Sequence, residues 1–497
     1  VLERGGLAEA MSASMAVPGA FAPVRIGEHM LVDGGVSMNL PVEVGRDLCG
    51  DIVIAVDIST PLLEEDRIDS VFAVADQLAN IMTRRNTELQ LAALDSRDIQ
   101  IVPDLGDITT TQFDRAVEAV PKGEAAARDQ ADRLAALSLS PDDWRKHLAH
   151  RESRSSLPPV IDFIEIHNDS GLSDQVLAER LDVQVGERLD VGALEASIQT
   201  IYGLENFEKV SYSLVQSGGG TGVRLNARAK SWGPDYLQFG MRLEDDFDGD
   251  ASYTLAVAYT RTEMNALGAE WRSQVAAGQE PLVFTEWYQP LDTGGRWFVN
   301  PSGSWFRQDF NVFSGSEEVA RFNLEEWRLG FAAGREFGQW GEFRLGYQRG
   351  FGETDRRIGD PELDEPDYDV GFAFGRFWLD RLNSANFPTA GSEVFLEYRA
   401  HRPGLGDDED FDQFILDVSR AFSWGRYTLR PGLSLRRTVS GTAPFYALAR
   451  GGGLFNLSGY ETNQFAGENL ALGRVIAYRR MGDIRLAPVY FGGSLEY

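Results

Sequence analysis

The 497-residue sequence predicts three parts: an incomplete α/β segment, a small domain of order β-α-α-β-β, and an antiparallel transmembrane β-barrel. Three observations support this prediction. Short apolar runs alternate with helical patterns near the N-terminus, and two helical patterns precede a hairpin pattern in the middle. Segments with one apolar face then recur through the second half. We place the three parts at residues 1–150, 157–231 and 235–497.

Composition limits the class of protein. Apolar residues make up 43% of the chain, and no stretch approaches the roughly 20 consecutive apolar residues of a membrane-spanning helix. A membrane role therefore requires a barrel. The 52 glycines and the aromatic residues, which concentrate after Trp232, favour that option. A net charge of −29 argues against a nucleic-acid partner, which needs a basic surface. The single cysteine, Cys49, excludes an internal disulfide.

The first part combines strand and helix patterns. Residues 52–57 form a short apolar run that ends in an acid, which is typical of a buried parallel strand. Helical periodicity follows at residues 70–95, a second short strand at 99–102, and a further helix at about 123–137. Strands that alternate with helices indicate an α/β layer fold.

Three short motifs occur in order before the first of these strands. They read S-x-A-x-P-x-x-F-x-P at residues 14–23, then D-G-G, then N-x-P. Together they resemble the C-terminal half of the patatin-like phospholipase family, whereas D-G-G alone would indicate only a turn. The candidate site residues are Pro18, Asp33, Gly34, Gly35, Asn39 and Pro41.

The resemblance implies a catalytic role for Asp33. Patatin-like enzymes use a Ser–Asp dyad, in which the carboxylate is the general base that takes the proton from the nucleophilic hydroxyl. Gly34 and Gly35 would let the backbone turn tightly beside it. The family's nucleophile lies in G-x-S-x-G upstream of D-G-G, and that sequence does not occur in the 497 residues. We therefore expect the chain to start within the hydrolase domain and, as given, to lack esterase activity. The dyad implies no metal and no organic cofactor.

The middle part shows a strand at residues 160–166, helices at 174–181 and 191–203, and a hairpin of 207–216 with 223–229. We expect Ser173 to cap the first helix and residues 218–222 to close the hairpin. This order resembles a POTRA domain, the periplasmic module that precedes certain outer-membrane barrels. In that family a strand edge and the adjoining helix receive extended client segments. The alternative is a spacer that only orients the hydrolase.

The third part alternates apolar and polar residues with a period of two, which predicts lipid-facing strands around a wet lumen. At residues 252–261, for example, Tyr253, Leu255, Val257 and Tyr259 share one face. We expect Arg344, Glu397 and Asp417 to face the lumen. The other predicted lipid-facing sets are Leu237, Phe239, Met241 and Leu243; Trp327, Leu329 and Phe331; Phe343, Leu345 and Tyr347; Val370, Phe372 and Phe374; Val394, Leu396 and Tyr398; and Phe414, Leu416 and Val418.

Two motifs in the third part resemble the outer-membrane insertase and transporter superfamily that includes BamA and TamA. Residues 387–391 match its F-P-x-x-G turn. Gly459 and Tyr460 match its lumenal loop motif R-G-F/Y, but Ser458 replaces the Arg. That departure questions the salt bridge that the family's Arg makes to the barrel wall. Barrels of this superfamily are of a sixteen-stranded type, whereas residues 235–497 supply about thirteen strands at roughly 20 residues each. We therefore expect the last strands to be missing.

Taken together, the three parts resemble the fused patatin autotransporters of type Vd secretion, in the bacterial surface antigen family. The resemblance implies a phospholipase A or acylglycerol esterase that is carried to or across the outer membrane by its own barrel. Implied partners are a phospholipid or acylglycerol substrate, outer-membrane lipid, the barrel-assembly machinery and a second copy of the chain. The hydrolase would lie at the cell surface, be secreted or stay in the periplasm.

Two alternatives remain open at this point. In one, the hydrolase segment is vestigial and the protein inserts or transports other proteins. In the other, the protein is a soluble secreted lipase with a β-sandwich tail.

Overall fold

The computed structural model describes residues 6–17, 21–59, 71–106, 108, 115–154, 158–245, 251–315, 317–360, 366–453, 456–457 and 459–480. The chain divides into two compact units, residues 1–155 and 156–497. The first unit has the α/β pattern, and the second contains the small domain and a large antiparallel sheet. Among the described helices, none combines the length and apolar character needed to span a bilayer.

The first unit contains the predicted strand–helix–strand arrangement. The strands β3 (Ile54–Val56) and β4 (Ile99–Ile101) pair in parallel, with Ile54 opposite Ile99. The helix α4 (Val71–Leu91) lies between them in the chain. Ala55 and Ile99 are buried. The helix predicted at 123–137 is instead two helices, α5 and α6, and starts earlier. The described elements are α1 (Leu7–Ser14), β1 (Val24–Ile26), β2 (His29–Leu31), α2 (Gly35–Met38), α3 (Val42–Cys49), β3 (Ile54–Val56), α4 (Val71–Leu91), β4 (Ile99–Ile101), α5 (Ala116–Asp129), α6 (Ala131–Ala135) and α7 (Pro141–Arg154).

A buried carboxylate, Asp98, joins several elements of this unit. Its Oδ2 accepts hydrogen bonds from the backbone N of Asp95 at 2.7 Å and from Arg46 of α3 at 2.5 Å. Its Oδ1 accepts from the backbone N of Val53 at 2.8 Å, just before β3. The backbone donors of Asp95 and Val53, followed by the Arg46 guanidinium, lower the pKa of Asp98 to about 2. The charged form of Asp98 therefore stabilises the packing of α3 against the two strands.

The small domain has the predicted β-α-α-β-β order. Its sheet has the strand order β5 (Phe163–Asn168), β7 (Gly220–Ala229), β6 (Phe207–Ser217). The central strand β7 is parallel to β5 and antiparallel to β6. Gly218 and Gly219 both have positive φ, 61° and 84°, which matches the two-residue turn that tight hairpins prefer. The core contains Leu177, Leu194 and Leu225, each without exposed surface. The elements are β5 (Phe163–Asn168), α8 (Asp174–Ala178), α9 (Val191–Tyr202), β6 (Phe207–Ser217) and β7 (Gly220–Ala229).

Ser173 was predicted to cap α8 (Asp174–Ala178) with its side chain, and this prediction was wrong. Ser173 does precede α8 in an extended conformation, but its hydroxyl makes no capping bond and is buried without a hydrogen-bond partner among the described residues. Its backbone N instead donates to the carbonyl of Ala266, in the connection between β9 (Ala251–Arg261) and β10 (Glu270–Gly278), at 2.8 Å. The position is therefore used for contact between the small domain and the sheet. A side-chain cap is found at α9, where the Asp190 carboxylate accepts from the backbone N of Ala193 at 3.0 Å.

The second half forms one antiparallel sheet of twelve strands, which confirms the predicted architecture. Strands β8 (Asp235–Asp245) to β18 (Tyr427–Ser440) pair in sequence order, and β18 then pairs with β21 (Asn469–Arg479). Within the described residues the outermost strands β8 and β21 do not pair with each other. The strands are β8 (Asp235–Asp245), β9 (Ala251–Arg261), β10 (Glu270–Gly278), β11 (Leu282–Pro290), β12 (Trp297–Ser314), β13 (Glu317–Glu336), β14 (Gly341–Ile358), β15 (Tyr368–Asp380), β16 (Gly391–His401), β17 (Phe411–Trp424), β18 (Tyr427–Ser440) and β21 (Asn469–Arg479). Between the last two, β19 (Ala449–Gly451) pairs with β20 (Phe465–Gly467).

The two faces of the sheet differ as predicted for most strands. Apolar side chains on one face, here called the outer face, are exposed, for example Phe239 at 78% and Leu329 at 73%. The inner face contains Arg344, Glu397 and Asp417. Glu397 has no exposed surface and forms ion pairs with both Arg376 and Arg399, the latter at 2.5 Å. Charges therefore lie on the inner face in pairs.

One predicted lipid-facing set was wrong. Val370, Phe372 and Phe374 of β15 are buried, with 2%, 3% and 7% of their surface exposed. The pairing register places Phe374 opposite Gly346, on the same face as Arg344, so this set belongs to the inner face. A period of two identifies two faces but does not say which one faces outward, and on β15 the larger side chains point inward.

The small domain packs against connections at one end of the sheet. The guanidinium of Arg180 donates to the carbonyls of Thr293 and Gly294 at 2.7 and 3.2 Å. The carboxylate of Glu263, in the connection between β9 and β10, accepts from the backbone N of Gly171 at 2.7 Å and from Asn206 at 3.1 Å. These bonds fix which end of the sheet the small domain contacts, and we call that end the near rim.

We expect the stability of the first unit to depend on acid through Asp98. Its folded pKa lies below the unfolded value of about 3.9, so its contribution is complete above that value and is lost as the pH falls through about 2. In the full chain, Asp98→Asn should lower the urea midpoint of the helical circular-dichroism signal at neutral pH. It should also flatten the pH dependence between about pH 4 and 2. The exposed Asp51→Asn serves as control, and equal acid profiles for both variants would refute this role.

We expect the Glu397 ion pairs to contribute strongly to the stability of the sheet. Replacement by Gln leaves two partly buried guanidinium groups without their shared partner, which typically costs about 3–5 kcal/mol. Denaturant unfolding of the chain in detergent micelles, followed by tryptophan fluorescence, measures the loss. Glu280→Gln breaks the exposed pair with Arg242 and should change the free energy of unfolding by no more than about 1 kcal/mol. Similar losses for both variants would contradict the expectation.

Candidate functional site

The backbone holds Asp33 in place between β2 and α2. Its N donates to the carbonyl of Ala16 at 2.9 Å, and its own carbonyl accepts from the N of Val36 at 3.3 Å. Its carboxylate Oδ1 accepts from the backbone N of Gly35 at 2.7 Å. No described residue donates to Oδ2, and the side chain is half-buried. One oxygen is thus engaged by the turn, and the other is available to accept a proton.

The two glycines of D-G-G, which were expected to let the backbone turn tightly beside Asp33, differ in their surroundings. Gly34 has φ −64° and ψ −20° and caps α2, with nothing near the position of a Cβ. A Cβ at Gly35 would lie 3.0 Å from Asp33 Oδ1 and 3.1 Å from Asn39 Oδ1. Gly35 therefore favours the close approach of both oxygens, because a methyl group there would make unusually tight contacts with them.

The N-x-P residues border the same turn. Asn39 ends α2, and its side-chain oxygen lies beside Gly35 together with that of Asp33. Pro41 precedes α3 and accepts a hydrogen bond from the N of Gly45 at 2.9 Å. The structure thus brings Asp33, Gly35 and Asn39 together, while Pro41 starts the next helix. Pro18 lies outside the described residues.

Polar residues of α4 hold the helices that follow Asp33. Asn86 donates to the carbonyl of Ser37 at 2.8 Å. Gln90 accepts from the backbone N of Glu43 and donates to the Glu43 carboxylate, both at 3.0 Å. Neither Asn86 nor Gln90 was among the predicted site residues. Their spacing of four places them on one helix face, which was the available signal.

The lumenal loop, residues 441–468, packs its N-terminal part on the inner face of the sheet. Tyr446 stacks on Tyr368 with ring centroids 4.1 Å apart, and its hydroxyl donates to Asp407 at 3.1 Å. Asp407 in turn bonds His401 Nδ1 at 2.8 Å. The rings of Phe445 and Phe310 meet edge to face at 5.8 Å. These aromatic residues, absent from the predicted site, are what fix the loop to the wall.

The predicted loop residues lie farther along. Ser458 is outside the described residues. Gly459 has φ 100° and Tyr460 is 49% exposed, with its ring edge to face against Phe465 at 4.8 Å. The loop does place an arginine on the wall, but it is Arg450, whose guanidinium carbon lies 3.6 Å from the centroid of the Phe310 ring. A cation over an aromatic face there is an attraction that a motif search for R-G-F/Y does not detect.

Comparison with known proteins gives a match for the first unit. Residues 2–45 match the family "Patatin-like phospholipase". An uncharacterized NTE family protein of Mycobacterium bovis is 45% identical over 58 residues, which is 11% of this chain and 9% of that protein. An NTE family protein of Mycobacterium tuberculosis matches with the same figures. The match thus spans less than a tenth of the length of these relatives.

Solved structures are similar to this chain at low sequence identity. BamA from Haemophilus ducreyi lacking POTRA domains 1–3 has a TM-score of 0.47 and 15% identity, over 61% of this chain and 60% of that one. CdiB from Escherichia coli has a TM-score of 0.44 and 13% identity, over 65% and 63%. Residues 2–45 are thus similar to the patatin-like phospholipase family, and a twelve-stranded antiparallel sheet follows in the same chain.

Proposed function

We propose that this chain belongs to an outer-membrane protein in which a patatin-like lipid acyl hydrolase is joined to its own POTRA-like domain and barrel translocator. One observation carries the proposal. The same chain contains a patatin-like segment whose Asp33 has a free carboxylate oxygen, and a twelve-stranded sheet whose outer face is apolar. An acyl hydrolase that acts on membrane lipid is the activity that uses both parts.

Asp33 acts as the general base of a Ser–Asp dyad in this proposal. Gly35 holds Oδ1 at 2.7 Å, which orients the carboxylate and leaves Oδ2 to take the proton from a serine hydroxyl. The nucleophile would belong to a G-x-S-x-G sequence, which the 497 residues do not contain. The substrate is the ester bond of a phospholipid or an acylglycerol. Attack by the serine oxygen breaks this bond, gives an acyl-enzyme and releases the lysolipid or other alcohol, which takes the proton held by Asp33; water then hydrolyses the acyl-enzyme to free the fatty acid and the serine.

The sheet provides the membrane part of the proposal. On β13 the outer face reads Trp327, Leu329, Phe331, Ala333 and Arg335, all exposed. At ~3.3 Å per residue and a strand tilt of ~40°, this set spans roughly 20 Å, close to the ~25 Å apolar band of outer-membrane barrels. Beyond Trp327 the same face becomes acidic, with Glu325 opposite Glu353. We therefore assign the protein to the bacterial outer membrane.

We expect Asp33→Asn to reduce ester hydrolysis by about 100- to 10,000-fold, the usual contribution of a general base. The test uses a form of the protein that includes G-x-S-x-G, with a chromogenic fatty-acid ester as substrate. Asparagine can still accept the Gly35 hydrogen bond, so the turn should stay intact while the base is lost. Asp51→Asn is the matched control in the same unit.

Three outcomes of this test are informative. Undiminished hydrolysis by Asp33→Asn would refute the dyad. Loss of hydrolysis with normal assembly of the sheet in the outer membrane favours the hydrolase over an insertase with a vestigial domain. The 497-residue polypeptide by itself should leave the ester intact, because it contains no G-x-S-x-G.

We expect a charge on the outer face to oppose insertion into lipid. Leu329→Arg should destabilise the sheet by about 2–4 kcal/mol, the cost of an arginine near the bilayer midplane. Gln348→Arg places the same charge on the inner face, opposite Gly330, and should cost much less. Urea titration of the chain folded into phosphatidylcholine vesicles measures both. Equal tolerance of the two substitutions would favour a soluble β-sandwich.

A further inference from the structure

Four outward-facing arginines lie at the near rim of the sheet, and each lies over an aromatic ring. The rim is formed by the start of β8 at residue 235, the end of β21 at residue 479, and the strand ends at residues 261–270, 290–297, 335–343, 378–392 and 420–430. Guanidinium carbons lie 4.9–5.5 Å from the ring centroids of their aromatic neighbours. The pairs are Arg335 with Trp297 and Phe337, Arg381 with Trp340, Arg420 with Phe422, and Arg479 with Tyr427. We call these four residues the arginine ring.

The charges of the arginine ring are not neutralised by neighbours. All four side chains are exposed, and none makes an ion pair with any residue that the structure describes. On the inner face the opposite holds, since Arg344, Arg376 and Arg399 each pair with a glutamate. Four exposed cations without ion-pair partners among the described residues are therefore available to an anion from outside the chain.

The acids near this rim are directed away from the ring. Glu336 lies opposite Glu342, and Asp380 opposite Glu393. In each case the adjacent residue, such as Phe343 or Val394, occupies the outer face, so these four acids take inner positions. The exception is Asp235, which faces outward and accepts a hydrogen bond from Tyr259 at 2.6 Å. The outer surface at the near rim is therefore basic and aromatic.

The chemistry of these groups indicates their ligand. A guanidinium stacked on an aromatic ring keeps its N–H donors at the edge, where a planar fork fits two phosphate oxygens. Aromatic residues at the end of an apolar band lie at the level of lipid headgroups. We propose that the arginine ring binds the phosphate groups of anionic phospholipids in the leaflet at the near rim.

The two rims of the sheet differ in charge, which gives this binding a direction. At the far rim the connections contain Asp367, Asp408, Glu409 and Asp410, which repel anionic headgroups. Headgroup binding therefore orients the sheet so that its near rim, which contacts the small domain, faces the leaflet of anionic phospholipid. This inference rests on the proposed contact of the outer face with lipid. It adds that the near rim prefers anionic phospholipid within that lipid.

Quenching of tryptophan fluorescence by brominated lipids tests the proposal on the 497-residue chain folded into vesicles. One set of vesicles contains brominated phosphatidylglycerol in phosphatidylcholine, and the other contains brominated phosphatidylcholine alone. Trp297 and Trp340 are part of the ring contacts, so local enrichment of the anionic lipid increases quenching. We expect the wild-type chain to prefer phosphatidylglycerol, with the preference falling about fivefold for each ring arginine removed.

Charge-matched pairs of substitutions separate the ring from general electrostatics. R335Q/R381Q and R420Q/R479Q remove two ring charges each, whereas R357Q/R437Q removes two exposed charges toward the far rim. The ring pairs should lose the preference for phosphatidylglycerol, and the far-rim pair should keep it. Heat-modifiable migration on gels confirms that each variant has folded. R335K/R381K keeps charge without the planar fork and should give an intermediate preference.

Other results of the quenching experiment would each overturn part of the proposal. Equal quenching of the wild-type chain by both lipids, or equal loss in the far-rim pair, overturns the arginine ring as a headgroup site. Full displacement of the phosphatidylglycerol preference by inorganic phosphate overturns a lipid in favour of free anion. If neither brominated lipid quenches the wild-type chain, the outer-membrane assignment itself fails, which distinguishes that failure from failure of the ring.

Discussion

The sheet depends on the alternation of side chains between two faces, which strand pairing transmits from one strand to the next. Arg344 pairs with Arg376, and Arg376 with Glu397, so one row of charges crosses three strands on the inner face. The neighbouring row, Phe343, Phe377 and Leu396, is apolar on the outer face. A slip of one residue in any pair would exchange the rows and expose charge to the apolar side. Register is therefore strongly specified, and the other features of the second unit follow from it.

The buried side chains of the inner face are stabilised in two ways. Where it carries charge, the charges are paired, as in the triad around Glu397, because an unpaired buried charge is costly. Where it carries aromatic side chains, around Phe310 and Phe372, residues of the lumenal loop cover them. Tyr446 does both, since its ring stacks on the wall and its hydroxyl binds Asp407. The loop is thus part of the core of the sheet.

Two aspartates in the first unit differ in how their carboxylate oxygens are hydrogen-bonded, and the difference bears on the proposed role of Asp33. Both carboxylate oxygens of Asp98 accept hydrogen bonds, from Asp95, Val53 and Arg46. Its charged carboxylate therefore joins three segments of the unit. Asp33 uses one oxygen for the Gly35 turn and leaves the other free of described donors. A general base needs an accessible lone pair and a fixed direction. Of these two aspartates, Asp33 is the one that has both.

The sequence by itself determined the order of elements, the alternation in most strands and the position of Asp33 in its motif, because these depend on local periodicity and spacing. Tertiary structure decided which face of β15 points inward, since a period of two is symmetric until packing against the lumenal loop breaks the symmetry. It also decided that the backbone of Ser173 contacts the connection between β9 and β10, that two side-chain oxygens lie close to Gly35, and that Arg450 reaches the wall. Each of these depends on residues far apart in the chain, whose distances only the folded structure sets.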